Sequence, residues 1–176
     1  MQSTSQKGKS ESGKIVYGKT VSSSRVTIAQ LMRQEHANNL GNVHGGWIMM
    51  LVDEAGALTC MRHAQQRVVT VAVDQMVFRQ PIRITDLVTI QAEVSFVGRT
   101  SMEAEVQVTA ENPITGECTH TNTAYLVYVA IDDNGHPVEV PPLIPENEEQ
   151  RLRMEEGRAR QAYRVAQSKL RESRNG

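Results

Sequence analysis

A chain of 176 residues, 39% hydrophobic and 22% charged, has room for one domain with tails. Its formal net charge of -1 gives no bulk electrostatic pull toward nucleic acid or a membrane surface, so neither is an expected partner. No window approaches the ~18 apolar residues of a membrane span, and the opening MQSTSQKGKSESGK has no apolar signal core; a cytoplasmic protein without membrane insertion is expected.

Residues 1–13 are rich in Ser, Lys, Gln and Gly and predict a disordered tail. A domain over 14–140 follows, then a Pro-containing linker and a charged C-terminal helix over 141–176. The first strand is clearest at Arg25 to Met32. A polar loop comes next, with Asn38, Asn39, Gly41, Asn42, His44, Gly45 and Gly46. It runs straight into an apolar helix from Trp47 to Met61, whose only charges are Asp53 and Glu54. Trp47, Met50, Leu51, Glu54 and Leu58 share one helical stripe, and Ile48, Val52, Ala55 and Thr59 fill the neighbouring faces. A helix apolar nearly all round is expected to be wrapped by other structure. Gly56 weakens it by about 1 kcal/mol, which points to close approach of another backbone. Arg62 and His63 sit in the last turn, where positive charge suits the helix dipole.

RVVTVAVDQMVF, residues 67–78, reads as a central strand. Pro81 marks a bend. Leu87 to Val97 alternates, with Val88, Ile90, Ala92, Val94 and Phe96 on one face. Gly98-Arg99-Thr100-Ser101 turns the chain, and Met102, Ala104, Val106 and Val108 alternate in the next strand. Asn112 to Gly116 forms a hairpin loop, and Thr119 to Ile131 is the last long strand. Residues 146–174 are charged, with a narrow apolar stripe of Leu152, Ala159, Tyr163, Ala166 and Leu170. They fit a surface helix, or an arm whose Arg151, Arg153, Arg158 and Arg160 hold an anionic ligand or a partner chain.

One strand, a buried helix and four strands on short connections predict an α+β fold with an antiparallel sheet of about five strands. One sheet and one apolar helix bury each other only if the sheet curls around the helix, the hot-dog arrangement. Its open edges predict a homodimer or a dimer-based assembly.

Candidate chemistry narrows by elimination. No Gly-x-Ser-x-Gly elbow supports a serine triad. Cys60 and Cys118 lack an electropositive loop and read as free thiols in a reducing compartment. His36, His44 and His63 lack metal-site spacing, so no metal is expected. No glycine-rich phosphate loop occurs. Asp53 and the loop at the helix start remain. A buried carboxylate suits a general base, or it caps a backbone group or pairs with an arginine. Gly45 and Gly46 offer amides at the positive end of a helix, an oxyanion site or simple turn chemistry. Gly46 and Asp53 lie seven residues apart, roughly 10 Å along a helix. If both serve one carbonyl, they must come from different subunits.

The runs His36-Ala37-Asn38-Asn39-Leu40-Gly41-Asn42-Val43-His44-Gly45-Gly46 and Met49 to Gly56 resemble the hot-dog acyl-CoA thioesterases, in particular the brain-type acyl-coenzyme A hydrolases and their single-domain bacterial relatives. The likeness continues through Arg67 to Asp74, Val97 to Met102 and Val129 to Asp132, and covers roughly residues 25 to 160. It implies hydrolysis of acyl-CoA to a fatty acid and CoA, with Asn38 and Asp53 as the catalytic pair across a dimer interface and trimers of dimers as the assembly. In that reading the Gly46 amide, with Gly45, polarises the thioester carbonyl. Asp53 acts as general base or attacks directly. Asn38 positions water or the carbonyl. Further substrate contacts fall to His44, Trp47, Val71, Gly98, Arg99, Thr100 and Ser101. No cofactor is implied, coenzyme A being part of the substrate. Two other readings stay open: an acyl-CoA-binding sensor without turnover, and a hot-dog dehydratase acting on 3-hydroxyacyl thioesters through His44.

Overall fold

The computed structural model describes residues 7–9 and 15–175. In chain order the elements are β1 (Lys7–Lys9), β2 (Ile15–Tyr17), β3 (Lys19–Thr20), α1 (Val21–Ser24), β4 (Val26–Leu31), a 3-10 turn (Gln34–His36), α2 (Gly45–Ala64), β5 (Arg67–Met76), β6 (Leu87–Val97), β7 (Ser101–Glu111), β8 (Cys118–Ile131), β9 (Leu143–Ile144) and α3 (Glu148–Asn175). The expected disordered tail lies outside the described residues except for β1, which pairs antiparallel with β2.

The main sheet has five antiparallel strands in the order β4-β6-β7-β8-β5. The fold is the expected hot dog. Val88, Ile90, Ala92 and Val94 of β6, with Met102, Ala104, Val106 and Val108 of β7, are buried. They share a core with Ile48, Leu51, Val52, Ala55 and Cys60 of α2. Burying each larger aliphatic side chain contributes roughly 1.5–3 kcal/mol, which is what the period-2 and period-3.6 patterns encode.

Four expectations are corrected. β5 is an edge strand rather than a central one, since it pairs only with β8. Its β-branched run looks central because Val69, Val71 and Val73 are apolar too, yet they stand about half exposed. α2 is covered on one side only: Met49, Met50, Glu54 and Leu58 face outward. Phe96 leaves the face of Val88 to Val94, because a bulge between Val94 and Phe96 sets it opposite Glu103 on the outer surface.

The fourth correction concerns α3, which crosses the outer surface of the sheet. Its apolar stripe does not dock, for Leu152, Tyr163 and Leu170 are exposed. The docking face is ionic. Arg153 lies 3.3 Å from Glu93 and 3.6 Å from Glu105. Arg160 donates to both oxygens of Glu103 and covers the Tyr125 ring at 3.9 Å. Arg164 binds Glu103 and Asp74. Arg153 and Arg160 therefore serve the sheet rather than an anionic ligand. Gly157 sits where a Cβ would come within 2.6 Å of Phe96 Cβ, so the helix approaches closely there. No helix among the described residues is long and apolar enough to cross a membrane.

Candidate active site

The polar loop is built by its own side chains. Asn38 Oδ1 accepts from the amides of Leu40 (2.8 Å) and Asn42 (3.2 Å), closing a turn completed by Gly41 at φ 81°. Its Nδ2 reaches the Val43 carbonyl only at 3.5 Å, the limit of a hydrogen bond, so this amide keeps donor capacity. His36 is buried, accepts from the Arg33 amide through Nδ1 at 3.0 Å, and stacks on Trp47 with ring centres 4.3 Å apart. His44 is the N-cap of α2, and its Nδ1 accepts from the Gly46 amide at 2.9 Å. The Gly46 N–H assigned to an oxyanion site therefore already has an internal partner. A cleft of about 310 Å³ opens beside this loop, lined by Asn38, Gly45, Ile48, Phe78 and Ile82 among others.

Asp53 stands two turns into α2, half-buried. Its Oδ1 accepts from Thr70 Oγ1 of β5 at 2.8 Å and from the Tyr128 hydroxyl of β8 at 3.1 Å. The Asp53 Oδ2 has no hydrogen-bond partner among the described residues. Burial, then the Asp53 charge, pushes the Tyr128 phenol above its ordinary range, so it is a neutral donor at every physiological pH. Burial likewise raises the Cys60 thiol, which excludes it as a nucleophile; both cysteines are free.

The remaining predicted residues are not gathered here. Val71 is on the exposed edge strand. Gly98 to Ser101 form the β6–β7 turn, where the Thr100 carbonyl accepts from the Ala130 amide at 3.0 Å and the Arg99 carbonyl from the Val140 amide at 3.1 Å. Arg99 is exposed, 4.0 Å from Glu139. The strand registers place this turn and the polar loop at opposite ends of the sheet. Ser101 pairs with Val129 and Arg67 with Ile131 at one end, while Arg79 bonds Thr121 beyond Met76 at the other. Thr70 and Tyr128 were missed from sequence. Sequence offers little to single them out: Thr70 is the one hydroxyl of β5, but β8 carries Thr119, Thr121, Thr123 and Tyr125 besides Tyr128.

The thioesterase superfamily matches residues 40–117. An uncharacterized acyl-CoA thioester hydrolase of Bacillus subtilis is 38% identical over 113 residues, 64% of this chain and 66% of that one. Protein VdlD of Helicobacter pylori is 32% identical over 83% of both chains. The chain spans only 38% of the rat cytosolic acyl coenzyme A thioester hydrolase, at 34% identity over 80% of its own length. Among solved structures, an apo hexameric acyl-CoA thioesterase superposes with TM-score 0.83 and 35% identity, over 86% of this chain and 97% of that one. An acyl-CoA hydrolase of Staphylococcus aureus, solved with butyryl coenzyme A, gives TM-score 0.78 and 29% identity, over 90% and 99%. Alanine variants of that hydrolase replace an asparagine, an aspartate 15 residues later and a threonine 17 residues after that. Asn38, Asp53 and Thr70 have the same spacing. With its five-stranded sheet around one helix and its likeness to full-length relatives, this chain belongs to the hot-dog thioesterase superfamily.

Proposed function

We propose that the protein hydrolyses acyl-CoA thioesters to a carboxylic acid and free CoA. The observation that carries this reading is the state of Asp53, a half-buried residue on a helix that begins beside a polar cleft: one oxygen is pinned by two hydroxyls, and the other has no hydrogen-bond partner among the described residues. Asp53 Oδ2 takes the proton of the attacking water, or itself attacks the carbonyl carbon. In the first route the carbon–sulfur bond breaks and the thiolate takes up the proton that Asp53 had accepted; in the second the thiolate leaves an acyl anhydride on Asp53, which water then hydrolyses, releasing the acid, regenerating the carboxylate and supplying the thiolate's proton. The Asn38 Nδ2 donor orients the carbonyl or the water. The thioester oxygen displaces His44 from the Gly46 amide and takes its place there. Acyl carbons lie along the apolar surface near Trp47 and Val71. Arg99, Thr100 and Ser101, with Gly98, meet the CoA moiety. No cofactor takes part in this scheme.

The site is composite in this reading. Asp53 and the Gly46 amide sit on one helix about 10 Å apart, so one chain cannot bring both to one carbonyl. The bare β5 edge and the outward face of α2 support a homodimer in which the partner's polar loop reaches Asp53. Hexameric relatives support a trimer of such dimers. A cytoplasmic location agrees with the cytosolic mammalian hydrolases that the chain resembles.

Thiol release from short-, medium- and long-chain acyl-CoAs tests the proposal, with wild type and Asp53→Asn side by side. Release that Asp53→Asn lowers at least about a hundredfold, with the assembly intact, supports it. Binding of acyl-CoA without any release overturns it in favour of a sensor.

A further inference from the structure

Tyr128 is the largest wholly buried side chain among the described residues, in the C-terminal part of β8 beneath α2. A buried tyrosine ring serves packing as a phenylalanine would; its hydroxyl adds cost unless it finds a partner. The partner is Asp53. The hydroxyl lies 3.0 Å from the Asp53 carbonyl oxygen and 3.1 Å from Oδ1. It gets there because residue 56 has no side chain. A Cβ on Gly56 would stand 2.4 Å from the Tyr128 hydroxyl oxygen and 3.0 Å from Cζ. Gly56 costs the helix about 1 kcal/mol in propensity, and what it admits is this ring, not the neighbouring backbone expected from sequence.

We propose that Tyr128 is the positioning residue for Asp53: its hydroxyl, admitted through the notch at Gly56, locks Oδ1 to the sheet and leaves Oδ2 as the reactive oxygen. This rests on the thioesterase reading. The torsion that orients a carboxylate is soft and roughly two-fold. One donor, Thr70 on β5, lets the group pivot about the bonded oxygen. A second donor arriving from β8 fixes its plane.

Tyr128→Phe in the full assembled chain removes the hydroxyl and keeps the ring. The expected result is a fall in kcat of about ten- to a hundredfold with KM changed less than about twofold. Melting temperature and assembly size report packing separately. Unchanged kcat overturns the proposal. Gly56→Ala drives a methyl group at the hydroxyl and is expected to give the same split. Its effect on kcat shrinks in the Tyr128→Phe background; full additivity of the two substitutions overturns the shared route. A carboxyl-carbon NMR spectrum of Asp53 at one fixed pH, assigned by its loss in Asp53→Asn, needs no turnover. A displaced Asp53 signal in Tyr128→Phe supports the proposal, and superimposable spectra overturn it. Absence of thiol release by the wild type would sink the thioesterase reading alone.

Discussion

His63 ends α2 wholly buried, with Nε2 2.8 Å from the Pro141 carbonyl and a buried Nδ1 that has no partner among the described residues. The helix dipole at this end favours an imidazolium. Burial outweighs it, aided by nearby Lys19 against the Pro141 hydrogen bond, and pulls the imidazole below its ordinary 6.5. The unfolded chain therefore binds a proton more readily than the folded one as pH falls through about 6.5. The neutral His63 contributes stability above that pH, and the contribution is lost on acidification. The urea midpoint is expected to be lower at pH 5.5 than at pH 7.5, and His63→Gln to narrow that difference. The lowered carboxylates add their own loss only at more acid pH. Glu146 is held down by the hydroxyl and amide of Ser22, and Asp132 by the His136 amide.

At the scale of elements, the association of α3 with the sheet turns on carboxylates in an unusual place. Glu103 is wholly buried on the outer face of β7, accepting from Ser95 Oγ at 2.8 Å and from Arg160 and Arg164. An ion pair of this kind contributes little over a well-packed apolar contact, but removing one partner strands the others. Glu103→Ala is expected to cost about 3 kcal/mol and to release α3, read as a lower urea midpoint and faster amide hydrogen exchange across the helix. Retained protection in α3 would show that Gly157 and Phe96 hold the helix without the charges. Sequence periodicity pointed to the wrong face of α3. Apolar stripes report docking where the opposing surface is apolar, and here it carries Glu93, Glu103 and Glu105.

For the whole molecule, the open edge of β5 and the outward methionines of α2 leave apolar surface that a second copy would cover. If Asn38 and Asp53 meet across that interface, subunits carrying Asn38→Ala and Asp53→Asn complement each other. Each is expected to be nearly inactive alone. An equimolar mixture, unfolded and refolded together, is expected to recover about a quarter of wild-type thiol release, because half of the dimers are hybrid and each hybrid has one intact site. No recovery from mixed assemblies would place Asn38 and Asp53 in one subunit's site.

The strand and helix periods, the turn residues and the polar loop ahead of α2 were legible in the sequence, because each depends on neighbours within a few positions. So was Asp53, since an acid inside an apolar helix has few uses. Tertiary structure alone decided the strand order that makes β5 an edge, the bulge that turns Phe96 outward, and the ionic face on which α3 docks. It also decided that Thr70 and Tyr128, 58 positions apart along the chain, share one oxygen of Asp53. Those facts depend on contacts between residues distant in sequence, and side-chain periodicity carries no record of which strand becomes whose neighbour.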